Sequence, residues 1–188
     1  MDNKEKILDI ALRLFSSKGY EGTGIQEIVD KAGITKPTLY YYFGNKEGVV
    51  SAIIDKYFIP FLNDLRVFTK YEGDVTLSLT NLIRLYFDFA AKNRVFYKFN
   101  LSTTYEIKES VAYKIVKPYH DEMYSSINKM FFEASNQHGN MKNREKEYTL
   151  SFMGIINVYT LLIINDEIEI SEDLIYRVVR QFMYGIFS

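Results

Sequence analysis

An all-α fold is predicted by two observations that hold along the whole chain and a third near its start. Apolar residues recur at three- and four-residue spacing almost throughout, and only three prolines and ten glycines interrupt them. The third observation is the stretch Thr23 to Gly48, which reads as a helix, a tight turn at Gly33, and a short second helix. Two helices joined by a short glycine-containing turn form the helix-turn-helix pattern, whose second helix enters the DNA major groove. The predicted architecture is a three-helix headpiece over residues 1–46 and a larger helical body over residues 47–188.

The first helix is expected from Lys4 to Lys18, with Ile7, Leu8, Ala11, Leu14 and Phe15 as its apolar stripe and Gly19 as its stop. Thr23 and Gln26 have the spacing of a capping box for the second helix, which is expected to bury Ile25, Ile28, Val29 and Ala32 and to end at Gly33 in a left-handed C′ position. Thr35 caps the third helix, and Pro37 is tolerated in its first turn. Leu39 and Phe43 point inward from it, and Gly44-Asn45 ends it. From Lys46 a long helix carries Val49, Val50, Ile53 and Ile54, with a bend at Pro60, and suits a connector between headpiece and body. Further helices are expected over Val75–Lys92, Arg94–Leu101, Ile107–Ser135, Lys142–Ile164 and Ser171–Phe187, with breaks at Gly73-Asp74, Asn93, Ser102-Thr103-Thr104, His138-Gly139-Asn140 and Asn165-Asp166.

Composition narrows the class. The chain has no cysteine, which removes disulfides, thiolate metal sites and cysteine nucleophiles together and fits a reducing cytoplasm. The N-terminus is amphipathic, with Asp9 and Arg13 inside it, unlike a secretory signal. The most apolar window, Phe152 to Ile164, is broken by Gly154 and Asn157 and is too short to span a bilayer, so no membrane partner is expected. Two isolated histidines, no His-Glu-x-x-His and no phosphate-cradling glycine loop leave no catalytic or metal constellation, and no cofactor is implied. Net charge is −1, and residues 1–50 hold seven Lys/Arg against seven Asp/Glu. Composition alone therefore does not point to DNA, and charge would have to be sorted by face.

The third helix carries the chemistry. With Leu39 and Phe43 inward, Thr35, Lys36, Thr38, Tyr41 and Tyr42 face outward, with Tyr40 at the edge. Hydroxyls bond phosphates or base edges, lysine bonds guanine acceptors or phosphate, and tyrosine rings contact thymine methyls. Lys46 adds an expected phosphate contact at the start of the next helix.

At these residues the chain resembles the TetR family of bacterial one-component repressors. Tyr20, Thr23, Ile28, Ala32, Gly33, Ile34, Thr35, Leu39, Tyr40, Phe43, Lys46 and Glu47 stand in register with that family's headpiece pattern, without a gap, over roughly residues 4–55. The resemblance implies a homodimer on a roughly palindromic double-stranded operator, with Thr23, Thr35, Lys36, Pro37, Thr38, Tyr40, Tyr41, Tyr42 and Lys46 at the DNA. It also implies a small-molecule effector whose binding in the body shifts the headpieces and weakens DNA binding. Two departures stand out: Gly24 where serine or threonine is common, and Pro37 where glycine is frequent.

Within the body, most aromatic residues at helical spacing are core. Tyr86, Phe96, Tyr119, Met123 and Phe152 are the candidates for a lipophilic or aromatic ligand. Arg84, Asp88 and Lys92 lie at i, i+4 and i+8, the spacing of a solvated salt-bridge stripe. The last two long helices are apolar on more than one face, and the surplus predicts a four-helix interface between two subunits. Its candidates are Ser151, Gly154, Ile155, Val158 and Leu162 on one helix, and Ile175, Val179, Phe182, Met183 and Ile186 on the other. The competing reading is a helical ligand-binding or adaptor protein that has lost DNA binding, supported by the zero charge balance of the headpiece.

Overall fold

The computed structural model describes residues 2–106 and 108–185. Among the described residues there are nine α-helices and no strand: α1 (Asn3–Lys18), α2 (Ile25–Ala32), α3 (Lys36–Phe43), α4 (Lys46–Phe68), α5 (Val75–Lys92), α6 (Arg94–Thr104), α7 (Val111–Ser135), α8 (Glu145–Ile164) and α9 (Glu172–Tyr184), with a 3-10 turn at Gly139–Met141.

Where bounds differ from expectation, side chains explain it. α6 runs through Ser102-Thr103-Thr104 rather than stopping before them, because the three hydroxyls bond back to carbonyls one turn earlier. Ser102 donates to Phe99 O at 2.8 Å, and Thr103 and Thr104 each donate to Asn100 O at 2.8 Å. α7 begins at Val111, where Ser110 Oγ accepts from Tyr113 N at 3.1 Å; the expected start, Ile107, lies outside the described residues. α8 begins at Glu145 because Asn143 turns left-handed (φ 62°) and donates its N–H to Glu145 Oε1. Ser171 caps α9 through a 3.1 Å bond from Leu174 N, and the expected end at Phe187 lies outside the described residues. α4 and α7 continue through Pro60 and Pro118.

The chain divides into two compact units. The first is Met1–Pro60 with Val95–Tyr119, the second Phe61–Arg94 with His120–Ser188. The three boundaries fall after Pro60, Arg94 and Tyr119. The first unit keeps α4 as far as Pro60 and adds α6 because aromatic rings bind them: Phe15 meets Phe99 at 5.9 Å, and Tyr57 stacks on Phe96 at 4.3 Å. Ile7, Ala11, Phe15, Ile28, Leu39, Val49 and Ile53 are all fully buried in this unit.

In the second unit α5 is the central helix, burying Leu79, Leu82, Ile83, Phe87 and Ala90. Phe61 meets Tyr86 edge-on at 4.9 Å, and Phe152 meets Phe182 at 5.3 Å. Of the expected stripe, Asp88 acts on Arg84 through its charge, but Arg84 forms its ion pair with Glu172. Its guanidinium forks onto Glu172 in the first turn of α9, with Nη2 2.7 Å from Oε2, and holds that carboxyl below the usual carboxylate range. α8 is long and apolar enough to cross a membrane by length and composition, unlike the shorter window read from the sequence. One side of it is nevertheless core of this unit, through Thr149, Phe152, Ile156, Thr160 and Ile163. Both buried hydroxyls are satisfied on the helix itself, Thr149 on Glu145 O and Thr160 on Ile156 O.

Candidate nucleic-acid interface

The helix-turn-helix is built as its residues dictate. α2 buries Ile28, Val29 and Ala32, and Gly33 follows in the left-handed region (φ 61°, ψ 39°), its N–H returning to Asp30 O. Thr35 then occupies the N-cap of α3 in extended backbone, with Pro37 in the first turn. Leu39 is fully buried and seats the helix. Phe43, expected inward, is only half-buried.

The opposite face of α3 is presented to solvent. Thr35, Lys36 and Pro37 are exposed, Tyr40 is 44% exposed and Tyr41 is 84% exposed. Thr38 and Tyr42 are half-buried. The Thr35 hydroxyl makes no bond to a helix N–H; it pairs with the Thr38 hydroxyl at 3.0 Å, so one of the two keeps a proton to donate outward. Tyr41 and Tyr42 stand edge to face at 5.3 Å, which holds the exposed ring upright.

Two expected DNA contacts are placed elsewhere by the structure. Thr23 is buried, 1% exposed, and its hydroxyl donates to Gly19 O at 2.9 Å at the end of α1. The expected Thr23–Gln26 capping box is therefore absent: Gly24 is the N-cap of α2, and Gln26 bonds Asp30 at 2.7 Å. Lys46, expected at a phosphate, turns its ammonium inward. Nζ donates to Tyr20 O at 2.9 Å and to Thr23 O at 3.0 Å, and lies 4.0 Å from the Tyr20 ring centroid. Two of its three donors are thus committed within the headpiece. Burial, with Glu47 and Glu21 adding to it, pushes the Tyr20 phenol up to about 12.

Residues that sequence reasoning did not single out complete the turn into α4. Asn45 Oδ1 accepts from Gly48 N at 2.8 Å and caps the helix. A Cβ on Gly48 would stand 1.9 Å from Phe43 O, so only glycine lets α3 and α4 join this closely. The Asn-x-x-Gly spacing after Gly44 was the available signal.

The family model for bacterial regulatory proteins of the tetR family matches residues 7–53, the whole of this helix-turn-helix with its flanking helices. The biofilm operon icaADBC HTH-type negative transcriptional regulator IcaR of Staphylococcus epidermidis is 44% identical over 62 residues, 31% of this chain and 34% of that one. The match thus spans about a third of that relative's length. Over residues 7–53 the chain is similar to the TetR family. The likeness of fold extends further. A Clostridium perfringens protein named as a fatty acid metabolism regulator superposes at TM-score 0.83 and 23% identity, over 96% of this chain and 98% of its own. FadR of Bacillus subtilis, a transcriptional regulator solved with stearoyl-CoA, gives TM-score 0.74 and 19% identity over 97% and 98%.

Against the TetR headpiece pattern, Gly24 leaves open space: a Cβ there would meet nothing within 4 Å. The five residues expected to line a ligand site are divided between the units. Phe96 and Tyr119 belong to the first, where Phe96 is buried and the half-buried Tyr119 ring stacks on Phe58 at 5.4 Å and donates its hydroxyl to Asp55. Burial and that hydrogen bond raise the Tyr119 phenol to about 12. Tyr86, Met123 and Phe152 belong to the second unit and are buried in its core.

The expected dimer residues also separate. On α8, Ser151, Gly154 and Val158 are exposed, Ile155 and Leu162 are half-buried, and exposed Leu150 and Leu161 extend the same face. On α9, Ile175 and Val179 are buried in the chain's own core, 2% and 3% exposed, because Leu174, Ile175, Val178 and Val179 form the inward stripe. Phe182 is half-buried among Phe131, Tyr148 and Phe152. Met183 is exposed, beside Tyr176 and Tyr184, which the sequence reading did not single out. Ile186 lies outside the described residues.

Proposed function

We propose that this chain is a TetR-family transcriptional regulator, a cytoplasmic repressor that holds a palindromic operator as a homodimer and releases it when a small lipophilic or aromatic molecule binds its body. The observation that carries the reading is the solvent face of α3. Lys36, Tyr40, Tyr41 and the Thr35–Thr38 hydroxyl pair stand outward from a helix whose opposite side is pinned by buried Leu39. A helix of this kind after a left-handed glycine turn reads base edges in the major groove. Supporting it, the S. epidermidis relative is named as a negative transcriptional regulator.

The effector side of the reading draws on the B. subtilis neighbour, which was solved with stearoyl-CoA. α4 runs from Lys46 to Phe68, and the chain passes from the first unit to the second within it, after Pro60. An effector acts through such a helix only if it binds one headpiece spacing better than another. The homodimer reading rests on the exposed apolar row Leu150, Val158 and Leu161 with Gly154 between them. An apolar row on a helix whose other side is already core is an interface rather than a membrane face. The reading assigns no catalytic step to any residue.

The test is a gel shift with the DNA upstream of the chain's own gene at several salt concentrations. A specific binder shows a shift whose affinity falls steeply with salt. The absence of any shift at low salt would favour the adaptor reading instead.

A further inference from the structure

We infer that a half-open pocket in the second unit, apart from the residues expected to bind effector, is a site for a neutral, compact aromatic molecule carrying an N–H donor. The inference deepens the effector reading and rests on it only for any effect on DNA.

The pocket holds about 180 Å³ between the start of α5, the end of α7, the 3-10 turn, the start of α8 and the end of α9. An apolar cavity of about 150 Å³ takes up benzene, so this volume suits one or two fused rings and excludes a long acyl chain. Its walls are rings. Phe131 lies 5.8 Å from Tyr148 and 5.9 Å from Phe182, tilted by 42° and 38°, and Tyr148 meets Phe182 at 6.4 Å and 74°. Rings tilted about a gap offer edges and faces together, the arrangement in which a further aromatic ring gains most. Val75 and Leu79 close one side, and Met141 and Met183 supply polarisable sulfur.

Charge selects next. Among the described residues no carboxylate, ammonium or guanidinium lines the pocket, so an ionised ligand would lose hydration there without gaining a counter-ion. The polar rim is His138 and Asn140. His138 is oriented by a neighbour outside the pocket: the Tyr71 hydroxyl donates to Gln137 Oε1 at 3.3 Å and lies 3.2 Å from His138 Nε2. In the tautomer in which the phenol proton goes to Gln137, Nε2 donates to Tyr71 and Nδ1 accepts a ligand N–H.

The experiment titrates the full chain with indole, and separately with benzofuran, which has the same shape without the N–H. Saturable binding of one indole per chain is expected, with Val75→Phe weakening it by about tenfold through loss of space. His138→Ala is expected to cost indole about fivefold, as one lost hydrogen bond, and to leave benzofuran unchanged. No saturable indole binding, or binding indifferent to Val75→Phe, overturns the site; equal losses for both probes in His138→Ala overturn the N–H donor. Val75-sensitive indole binding by a chain that shifts no operator DNA supports the pocket and overturns the regulator reading alone.

Discussion

The Lys46 ammonium sits 4.0 Å from the centroid of the Tyr20 ring and donates to the Tyr20 carbonyl, so one side chain clamps the face and the backbone of the same residue. It reaches the Thr23 carbonyl as well, tying the first turn of α4 to the segment between α1 and α2. A lysine placed to meet phosphate would keep its charge in solvent. Here it is spent on two carbonyls of the connection between α1 and α2.

Lys46→Ala is therefore expected to destabilise the fold, by about 2 kcal/mol, because two carbonyls lose a charged donor and the ring loses its cation. Urea unfolding followed by circular dichroism measures it. Operator affinity should fall only as far as the folded population does. A variant with an unchanged unfolding midpoint and lost operator affinity would return Lys46 to the phosphate backbone.

The solvent face of α3 should behave in the opposite way. Lys36→Ala and Thr38→Ala are expected to leave the unfolding midpoint unchanged and to relax base preference, each by about 1–3 kcal/mol where a base edge is read. Tyr41→Ala should weaken operator binding with the fold intact, since the ring is 84% exposed and touches only Tyr42 among the aromatic contacts of α3. Competition gel shifts on operators altered one base pair at a time separate the two effects. If all three variants bind as the parent chain does, α3 is not the reading helix.

The contrast between Lys46 and Lys36 shows what the sequence made legible and what it did not. Gly33, Thr35 and Leu39 are specified locally: a left-handed turn, a cap position and a buried spacing each follow from neighbours within one helical turn. The fold class and most helix bounds followed in the same way. Lys46 is specified by carbonyls at sequence distances of 26 and 23, which periodicity does not encode. The same limit governed the body. Residue type alone points to Tyr86, Phe96, Tyr119, Met123 and Phe152, and the chain distributes them between two units because type says nothing of which helix a side chain will meet. Ile175 and Val179 lie on the inner stripe of α9 for a related reason: an apolar helix reads as surplus until its own core partner is known.

The α8 face gives a sharper test of assembly than α9 does. Val158 is 58% exposed and lies one turn from Gly154, so Val158→Asp removes nothing from the chain's own core. It should leave helix content unchanged and convert a dimer to a monomer in sedimentation velocity, because a carboxylate buried without a partner costs several kcal/mol at each copy. Operator affinity should fall with it, as two half-sites are no longer held together. A parent chain that sediments as a monomer at micromolar concentration overturns the homodimer outright.

Two glycines flanking the headpiece helices predict opposite outcomes for equally small changes. Gly48 has no room: an added Cβ would stand 1.9 Å from Phe43 O and 3.0 Å from Phe43 C, both backbone atoms. Gly48→Ala must then displace the α3–α4 junction, at a cost of about 1–3 kcal/mol in stability, and operator affinity should drop with it as α3 shifts. Gly24 is exposed, is the N-cap of α2 and has nothing within 4 Å of an added Cβ. Gly24→Ser there adds a hydroxyl that can accept from a free helix N–H, worth only a few tenths of a kcal/mol over glycine. The same hydroxyl can donate to a phosphate beside the helix N-terminus, so operator affinity should rise while stability barely moves. Thermal unfolding and gel shifts on both variants check the pair. Were Gly24→Ser to weaken DNA binding at unchanged stability, the N-terminus of α2 would have to approach the operator too closely for any side chain, and glycine there would be a requirement of the interface.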